Sequence, residues 1–344
     1  MNNALPMSGD KCGVKNTKVF KGIIGQVEAC KKLDFFANAH SQETPFPTML
    51  FSGSQGLGKS YMAQKVAEAL GRDLVEINCA NVETVEELFE IFSKKVISDW
   101  HKTILFDESH KLSQEITTFL LSMLNPNKSQ KNEISFGLQS FMYEFAKINV
   151  IFATTDSYKM FKPLLSRCTE VYFRLYTHDE LLKMLSFYLP NVSFKCDNED
   201  LAYACRGRGR DTFLLAENLK RFVRLNNIAS IDSNGWANVK DILGIHAKGL
   251  TTQEIDYLKI LKMHEPISAH SLAIKMGINV QNIESELEIR LRELNMIDNS
   301  PRGRCLTNEG NNYLAQLDGK VIGRIGVVKK CLSAQYVPIL KTQM

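Results

Sequence analysis

The sequence lacks the patterns that mark a secreted or membrane protein. Its first residues contain no apolar core of the kind that a signal peptide needs, and no run of 18 apolar residues occurs that could span a bilayer. The eight cysteines include no C-x-x-C pair and show no zinc-ligand spacing. We therefore expect a cytoplasmic protein with reduced cysteines and no membrane contact.

The chain also lacks a strong charge of either sign, an internal repeat and a low-complexity tract. Its 42 Lys and Arg residues nearly balance 38 Asp and Glu residues, which leaves a net charge of +4. This balance permits binding to nucleic acid but does not require it. With 344 residues, 44% of them hydrophobic, the chain is long enough for two or three domains with their own cores.

Short apolar runs alternate with helical patterns through the first half of the chain. Strands are predicted near residues 49–51, 74–77, 103–106 and 150–153, with helices between them near 61–70, 85–96 and 116–124. This alternation predicts a parallel sheet covered by helices, and therefore an α/β fold. Before the last of these strands, residues 129–146 carry alternating apolar side chains around a turn, which predicts an inserted β-hairpin.

The second half of the chain is predicted to be mainly helical. Residues 178–246 show helical patterns without a clear strand. From Thr251 onwards, three capped helices are followed by two short strands around Pro301 and Gly303. Three helices and a two-stranded ribbon predict a winged helix.

The segment Gly53–Ser60 fits the phosphate-binding pattern G-x-x-x-x-G-K-[ST] and lies between a predicted strand and a predicted helix. Glycines allow backbone N–H groups to point inward at phosphate oxygens, and the following helix adds its positive N-terminal end. Lys59 can neutralise the β- and γ-phosphates, and Ser60 can bind Mg²⁺. A plain glycine-rich turn is the alternative, but the strand–loop–helix context favours ATP binding.

A second apolar strand ends in the acidic pair Asp107 and Glu108, 48 residues after Lys59. Asp107 is placed to hold Mg²⁺, directly or through water, and Glu108 to orient and deprotonate the attacking water. An apolar run that ends in two acids is a weak signal alone. After a phosphate-binding loop it predicts an ATP-hydrolysing site.

Three further positions carry polar groups that could act on the γ-phosphate. Thr155 ends a predicted strand, and a structural threonine is the alternative there. Arg167 could stabilise the transferring phosphoryl group from a neighbouring subunit, with a surface arginine as the alternative. An arginine of the segment Arg206-Gly207-Arg208-Gly209-Arg210 could report on the γ-phosphate from the start of a helix, with a solvated basic turn as the alternative.

These motifs resemble the AAA+ superfamily and, within it, the RuvB family of Holliday-junction branch-migration motors. The resemblance runs from about Phe20 to Leu317. It is carried by Ile23-Ile24-Gly25-Gln26, Gly56-Leu57-Gly58-Lys59, Phe106-Asp107-Glu108-Ser109-His110, Ala153-Thr154-Thr155 and Ser300-Pro301-Arg302-Gly303-Arg304. It implies a P-loop AAA+ αβα sandwich with a small helical lid domain and a C-terminal winged helix.

The resemblance also implies domain limits and residue roles. The domains would be an arm at 1–18, the large ATPase domain at 19–176, the lid at 177–247, the winged helix at 248–317 and a basic tail at 318–344. The nucleotide would be bound by Ile24, Gly25, Gly53, Gly56, Leu57, Gly58, Lys59, Ser60, Tyr61 and Arg210. Thr155 would be the first sensor, Arg167 the arginine finger and Arg210 the second sensor, with Arg208 competing for that last role.

The wing is the predicted contact with DNA. Arg302 and Arg304 flank a glycine in a predicted turn, where they would grip phosphates without reading sequence. The third helix of this domain is rich in glutamate, which disfavours base reading in the major groove. A winged domain that binds protein is the alternative.

The sequence therefore predicts an ATP hydrolase that uses ATP and Mg²⁺ and works as a homo-oligomeric ring, a hexamer by resemblance. The ring would translocate double-stranded DNA and drive Holliday-junction branch migration in recombination and repair. The hairpin at 129–146 matches in length the one with which the family grips its partner RuvA. Two alternatives stay open: a clamp loader or helicase loader, which Ser166-Arg167-Cys168 favours, and an ATP-gated DNA-binding regulator.

Overall fold

The computed structural model describes residues 20–41, 44–96, 101–124, 131–136, 139–144 and 148–317. Contacts divide this part of the chain into two compact units. The first lies within Met1–Val192 and Gly207–Asn227, and the second within Ser193–Arg206 and Ile228–Met344. The predicted arm at 1–18 and the predicted basic tail at 318–344 lie outside the described residues.

The first unit is built on a parallel sheet. Among the residues described, its strands are β1 Met49–Ser52, β2 Asp73–Asn78, β3 Lys102–Asp107, β6 Ile148–Thr154 and β7 Thr169–Tyr172, in the order β2-β3-β6-β1-β7. Every residue of β1 and of β6 is buried, as expected for strands covered on both faces. The sequence predicted the first four strands; β7, at the edge beside β1, was not predicted.

Within the described ranges, the helices of this unit are α1 Val27–Ala39, α2 Lys59–Ala69, α3 Val85–Lys95, α4 Gln114–Met123, α5 Lys162–Leu165, α6 His178–Tyr188 and α8 Gly209–Asn226. α3 shows why they form: the side chains of Thr84 and Glu87 cap each other's backbone N–H groups at its start. Phe92 on its buried face lies 6.3 Å from Phe106 of β3, which stacks on Phe152 of β6. Burial of such aromatic and aliphatic side chains drives the packing.

The predicted hairpin is confirmed as two antiparallel strands, β4 Lys131–Phe136 and β5 Gln139–Glu144. They pair with each other, and the pairing runs from Lys131 opposite Glu144 to Phe136 opposite Gln139. The turn at 137–138 and the residues at 145–147 lie outside the described residues. The hairpin precedes β6 in the chain, as predicted.

Parallel strands bring their carboxyl ends to one edge of the sheet, and this edge carries the candidate site. β1 leads into the glycine-rich loop, β3 ends at Asp107 and β6 ends at Thr154. β2 ends at Asn78, which lies opposite Asp107 in the strand register. The fold therefore gathers residues that are far apart in sequence.

The second unit begins with two very short strands, β8 Ser193–Lys195 and β9 Ser230–Asp232, which pair in parallel. The expectation that residues 178–246 contain no strand was therefore wrong; three-residue strands are too short to show a periodic pattern. Helices α7 Asn198–Ala204 and α9 Ser233–Leu243 belong to this unit, whereas α6 and α8 belong to the first. The predicted lid at 177–247 is thus shared between the units, and the domain limits given above stay a prediction.

The remainder of the second unit has the predicted winged-helix fold. Its elements are α10 Thr252–His264, α11 Ala269–Met276, α12 Val280–Asn282, a π-helical turn Ile283–Leu287, α13 Glu288–Glu293, β10 Ile297–Ser300 and β11 Gly303–Leu306. A last helix covers residues 308–317. Tyr257, Leu261 and Leu291 lie fully buried in its core. In the part of the chain described, no helix is both long and apolar enough to cross a bilayer.

Candidate nucleotide site

The loop between β1 and α2 has the backbone shape that phosphate binding requires. Gly53, Gly56 and Gly58 have φ angles of 142°, 78° and 92°, which side-chain-bearing residues rarely adopt. A Cβ atom on Gly53 would lie 2.4 Å from the backbone oxygen of Phe173, so only glycine fits there. Lys59 opens α2, and its ammonium group donates to the backbone oxygens of Gly53 at 2.7 Å and Ser54 at 2.9 Å. The lysine is thus held inside the loop by the carbonyls of that loop.

Lys59 lies in the electric field of the other predicted site residues. Burial lowers the pKa of its side chain, Glu108 and Asp107 oppose that shift, and Arg210 adds to it. Charges act on one another in this way only at short range, because water screens distant pairs. The prediction that the lysine and the acidic pair share one site agrees with this arrangement.

The acidic pair is shaped by a backbone turn at Glu108. This residue has a φ of 53°, in the left-handed region, and its N–H donates to the Asp107 carboxylate at 3.0 Å. The turn separates the two side chains at the end of β3, and both line the same cleft. Oxygen donors of this kind, together with the hydroxyl of Ser60, suit Mg²⁺.

The threonines at the end of β6 lie next to the acidic pair. Thr155 donates to Oε2 of Glu108 at 3.5 Å. Thr154 is fully buried, and its hydroxyl lies 3.1 Å from Nδ1 of His110. The sequence analysis assigned no role to His110 or to Asn78, which lines the cleft at the end of β2. The position of Asn78 at the carboxyl end of a predicted strand of a parallel sheet was the available signal.

The start of α8 packs against the glycine-rich loop. The backbone N–H of Arg210 donates to the carbonyl of Gly56 at 3.2 Å, and its side chain lines the cleft. Arg208 lies 4.0 Å from Asp211 on the same helix and is not among the residues that line the cleft. A Cβ atom on Gly56 would lie 3.2 Å from Cβ of Arg210 and 3.5 Å from Cβ of Arg208, so both side chains lie beside the loop, and the choice of Arg210 for a contact with phosphate stays a prediction.

Tyr176 ties a third segment to the same loop. Its hydroxyl donates to the carbonyl of Leu57 at 2.9 Å, and its backbone N–H donates to Gly207 at 3.0 Å. Burial raises the pKa of Tyr176 to about 12, so the phenol stays a neutral donor at physiological pH. Tyr176 was not among the predicted site residues, because a lone tyrosine after an unpredicted strand gives no pattern.

The cleft has a volume of about 710 Å³, within the range of small-molecule sites. Its polar end is formed by the loop, the acidic pair and Arg210. The other end is apolar and is lined by Ile23, Ile24, Tyr61, Met184, Phe187, Tyr188 and Phe213. Tyr188 stands edge-on to Phe213 with 5.4 Å between ring centroids. A flat base would find apolar and aromatic contacts there.

The turn before α1 closes this apolar end. Gly25 has a φ of 73°, and a Cβ on it would lie 2.6 Å from the ring of Tyr176. The side chain of Gln26 bonds to both backbone groups of Arg174: it donates to the oxygen at 2.7 Å and accepts from the N–H at 3.2 Å. Ile24 and Gly25, which were predicted to contact the nucleotide, are thus held beside the cleft.

Arg167 does not line the cleft. It is exposed after α5, and its guanidinium donates to the carbonyl of Pro163 at 2.9 Å. Its predicted role, which acts on the nucleotide of a neighbouring subunit, is compatible with an exposed position and stays a prediction.

The two wing arginines differ in a way that the sequence did not show. Arg302 is exposed at the turn between β10 and β11. Arg304 is only 16% exposed, and its guanidinium binds Glu288 at 2.8 Å and Glu284 at 2.6 Å. Two carboxylates offset its charge, so Arg302 is the better candidate for a contact with phosphate.

Two family models match the chain. Residues 49–175 match the ATPase family associated with various cellular activities (AAA), and residues 247–315 match the RuvB C-terminal winged helix domain. The first match spans the loop, the acidic pair, Thr155 and Arg167. The second spans the wing.

Curated relatives agree with both matches. The chain is 27% identical over 300 residues to the Holliday junction branch migration complex subunit RuvB of Campylobacter hominis, covering 84% of this chain and 86% of the relative. It is 25% identical over 312 residues to the subunit of the same name from Mycoplasma genitalium, covering 88% and 99%.

A solved structure shows the same fold. The Thermotoga maritima RuvB Holliday junction branch migration motor superimposes with a TM-score of 0.71 at 20% identity, covering 87% of this chain and 98% of that one. A nucleotide cleft of AAA type and a RuvB-type winged helix thus occur in one chain, and relatives named RuvB match nearly all of it. The chain is a RuvB-like AAA+ ATPase.

Proposed function

We propose that this protein is an ATP-driven DNA motor of the RuvB type. It forms a ring, a hexamer, that translocates double-stranded DNA and drives Holliday-junction branch migration in recombination and repair. The observation that carries the proposal is the gathering of Lys59, Asp107, Glu108 and Arg210 around one cleft, in a chain that also has a winged helix with an exposed arginine. The curated relatives named for branch migration support the choice of substrate.

The residues of the cleft divide the work of hydrolysis. Lys59 and the loop N–H groups bind the β- and γ-phosphates, and the apolar end accepts the adenine. Glu108 accepts a proton from the attacking water, and Thr155 lies beside it. Arg210 contacts the phosphates from α8, and its loss of that contact after hydrolysis would let α8 move.

Ser60 and Asp107 would hold Mg²⁺. Their hydroxyl and carboxylate oxygens are the ligands that this cation prefers, and both side chains line the cleft. Bound there, the ion would neutralise charge on the phosphates.

Arg167 completes the site of the next subunit in the ring. Its exposed position outside its own cleft fits that role. An arginine supplied in this way contributes about 10³–10⁵ to the rate in other nucleotide hydrolases. Hydrolysis would therefore depend on assembly.

Contact with DNA is assigned to Arg302, and a RuvA-like partner to the hairpin at 129–146. The phosphate backbone offers the same charge at every step, so an exposed arginine grips without reading sequence. A protein that acts on DNA must be in the same compartment as that DNA. We therefore include the cytoplasmic location predicted from the sequence in this proposal.

ATP turnover and four-way junction unwinding by the full-length protein test the proposal. We expect both activities, stimulation of turnover by junction DNA, and loss of both in Lys59→Ala. Lys94→Ala, which removes an exposed lysine from α3, is the matched control and should keep both. Turnover without branch migration would favour a loader, and DNA binding without turnover would favour a regulator; either result would overturn the motor.

A further inference from the structure

His110 lies where it can control the orientation of Glu108. It belongs to a single 3₁₀ turn, Ser109–Lys111, directly after the acidic pair. Its side chain is only 9% exposed. Nδ1 lies 3.1 Å from the hydroxyl of Thr154 and 3.4 Å from Oε2 of Glu108, and Nε2 lies 3.7 Å from the carboxylate of Asp156. The ring thus lies beside Glu108, Thr154 and Asp156.

The backbone around His110 is fixed. The hydroxyl of Ser109 donates to the carbonyl of Ala153 in β6 at 2.9 Å, and Ser109 is almost fully buried. The N–H of Lys111 donates back to the carbonyl of Glu108 at 2.9 Å. A ring on so short and so tightly bonded a turn has few other positions, so its neighbours are set by the fold.

A carboxylate faces each nitrogen of the ring, Glu108 at 3.4 Å from Nδ1 and Asp156 at 3.7 Å from Nε2. Carboxylates accept hydrogen bonds, so a contact from Nδ1 to Glu108 needs a proton on Nδ1. Nδ1 also lies within hydrogen-bond distance of the Thr154 hydroxyl, which already accepts the N–H of Asp156 at 3.0 Å and can accept a second bond.

Two side chains approach the same oxygen of the Glu108 carboxylate. His110 and Thr155 approach Oε2, at 3.4 Å and 3.5 Å. Contacts of this length are usual for catalytic groups before substrate binds, and they tighten in the reacting complex. With Oε2 held, Oε1 is the oxygen that can take the proton of the attacking water.

We infer that His110 is a positioning residue for ATP hydrolysis: it holds Glu108 through Oε2 and so presents Oε1 to the water. The inference rests on the proposed hydrolytic function. His110 is not among the residues that line the cleft, so its loss should slow the chemical step and leave nucleotide binding intact.

Steady-state ATP turnover and calorimetric ADP binding by the full-length His110→Ala variant test the inference. We expect kcat to fall roughly tenfold to a hundredfold, a part of the 10²–10⁴ that a positioned base contributes. KM and the affinity for ADP should stay within about twofold of the wild-type values, because the contacts that bind the nucleotide are unchanged. His110→Asn should recover part of the loss, since its amide N–H can donate from near the position of Nδ1. Lys111→Ala, an exposed neighbour on the same turn, is the control.

A double variant separates positioning from general damage. If His110 acts through Glu108, then His110→Ala should add nothing to the defect of Glu108→Gln. Additive losses, an unchanged kcat in His110→Ala, or a rise in KM instead of a fall in kcat would each overturn the inference. So would a lower melting temperature in His110→Ala without rescue by asparagine. Absence of turnover in the wild-type protein would overturn the proposed function as well, whereas the other outcomes leave it standing.

Discussion

Arg304 and Glu288 form an ion pair within the winged helix, with Nε of the arginine donating to Oε1 of the glutamate at 2.8 Å. Glu288 is 1% exposed, and the hydroxyl of Tyr257 donates to the same oxygen at 3.0 Å. Arg292 binds its other oxygen. The pair links β11 to α13. Arg304 is therefore engaged within the domain, whereas Arg302 is exposed.

Arg302→Ala should weaken DNA binding without weakening the fold. A lost phosphate contact lowers affinity about equally for all sequences and reduces the slope of log K against log salt by about 1. Binding to a four-way junction at several salt concentrations measures both. Lys195→Ala, which removes an exposed lysine of the same unit outside the winged helix, is the control. An unchanged salt slope in Arg302→Ala would remove the wing from the DNA interface.

Arg304→Ala should have the opposite profile. It leaves Glu288 buried without one of its partners, and breaking a buried pair costs about 3 kcal/mol. Arg302→Ala, at an exposed position, should change the free energy of unfolding by less than about 0.5 kcal/mol. Chemical denaturation of both variants makes the comparison. Wild-type stability in Arg304→Ala would show that the ion pair contributes nothing to the fold.

Acid should weaken the winged helix through Glu288. Burial alone would raise the pKa of this carboxyl, but hydrogen bonds from Arg304 and Arg292 outweigh burial and hold the pKa below its usual value. The stabilisation is therefore complete above the unfolded-state pKa of about 4.3, and it is lost as the pH falls through the lower folded-state pKa. Unfolding free energies of wild type and Glu288→Gln between about pH 6 and pH 3 isolate this effect. The stability of the wild type should fall more steeply; parallel curves would contradict the assignment.

Arg167→Ala should abolish turnover by assembled protein and spare nucleotide binding. A loss of about 10³-fold in kcat is expected if the arginine acts on the transferring phosphoryl group. Mixing it with Lys59→Ala protein distinguishes action in trans: a ring containing both variants should regain activity where an intact Arg167 faces an intact cleft. Lys162→Ala, at the other end of α5, is the control. Turnover equal to that of the wild type would exclude the finger role.

Some of the site could be predicted because its information is local. The glycines and Lys59 stand in one octapeptide, and Asp107 and Glu108 directly follow the apolar run Ile104-Leu105-Phe106. The order of the strands in a parallel sheet then places these two segments at the same edge. The hairpin at 129–146 could be predicted because its alternating apolar residues and its turn also lie in one segment.

Other features escaped because they depend on partners that are distant in sequence. β7 has four residues and forms an edge strand only beside β1. His110 stands in a motif that was noticed, but its meaning comes from Thr154, 44 residues away. The wing arginines look equivalent in sequence, and only the glutamates on the preceding helix distinguish them.

The inserted hairpin has a mechanical consequence. β5 ends at Glu144 and β6 begins at Ile148, so the linker between them has three residues. The ends of the two strands can therefore be no more than about 14 Å apart. β6 is the middle strand of the sheet and carries Thr154 at its far end. A force on the hairpin would thus reach the sheet first at its middle strand, whose far end lies beside Glu108, rather than at an edge strand.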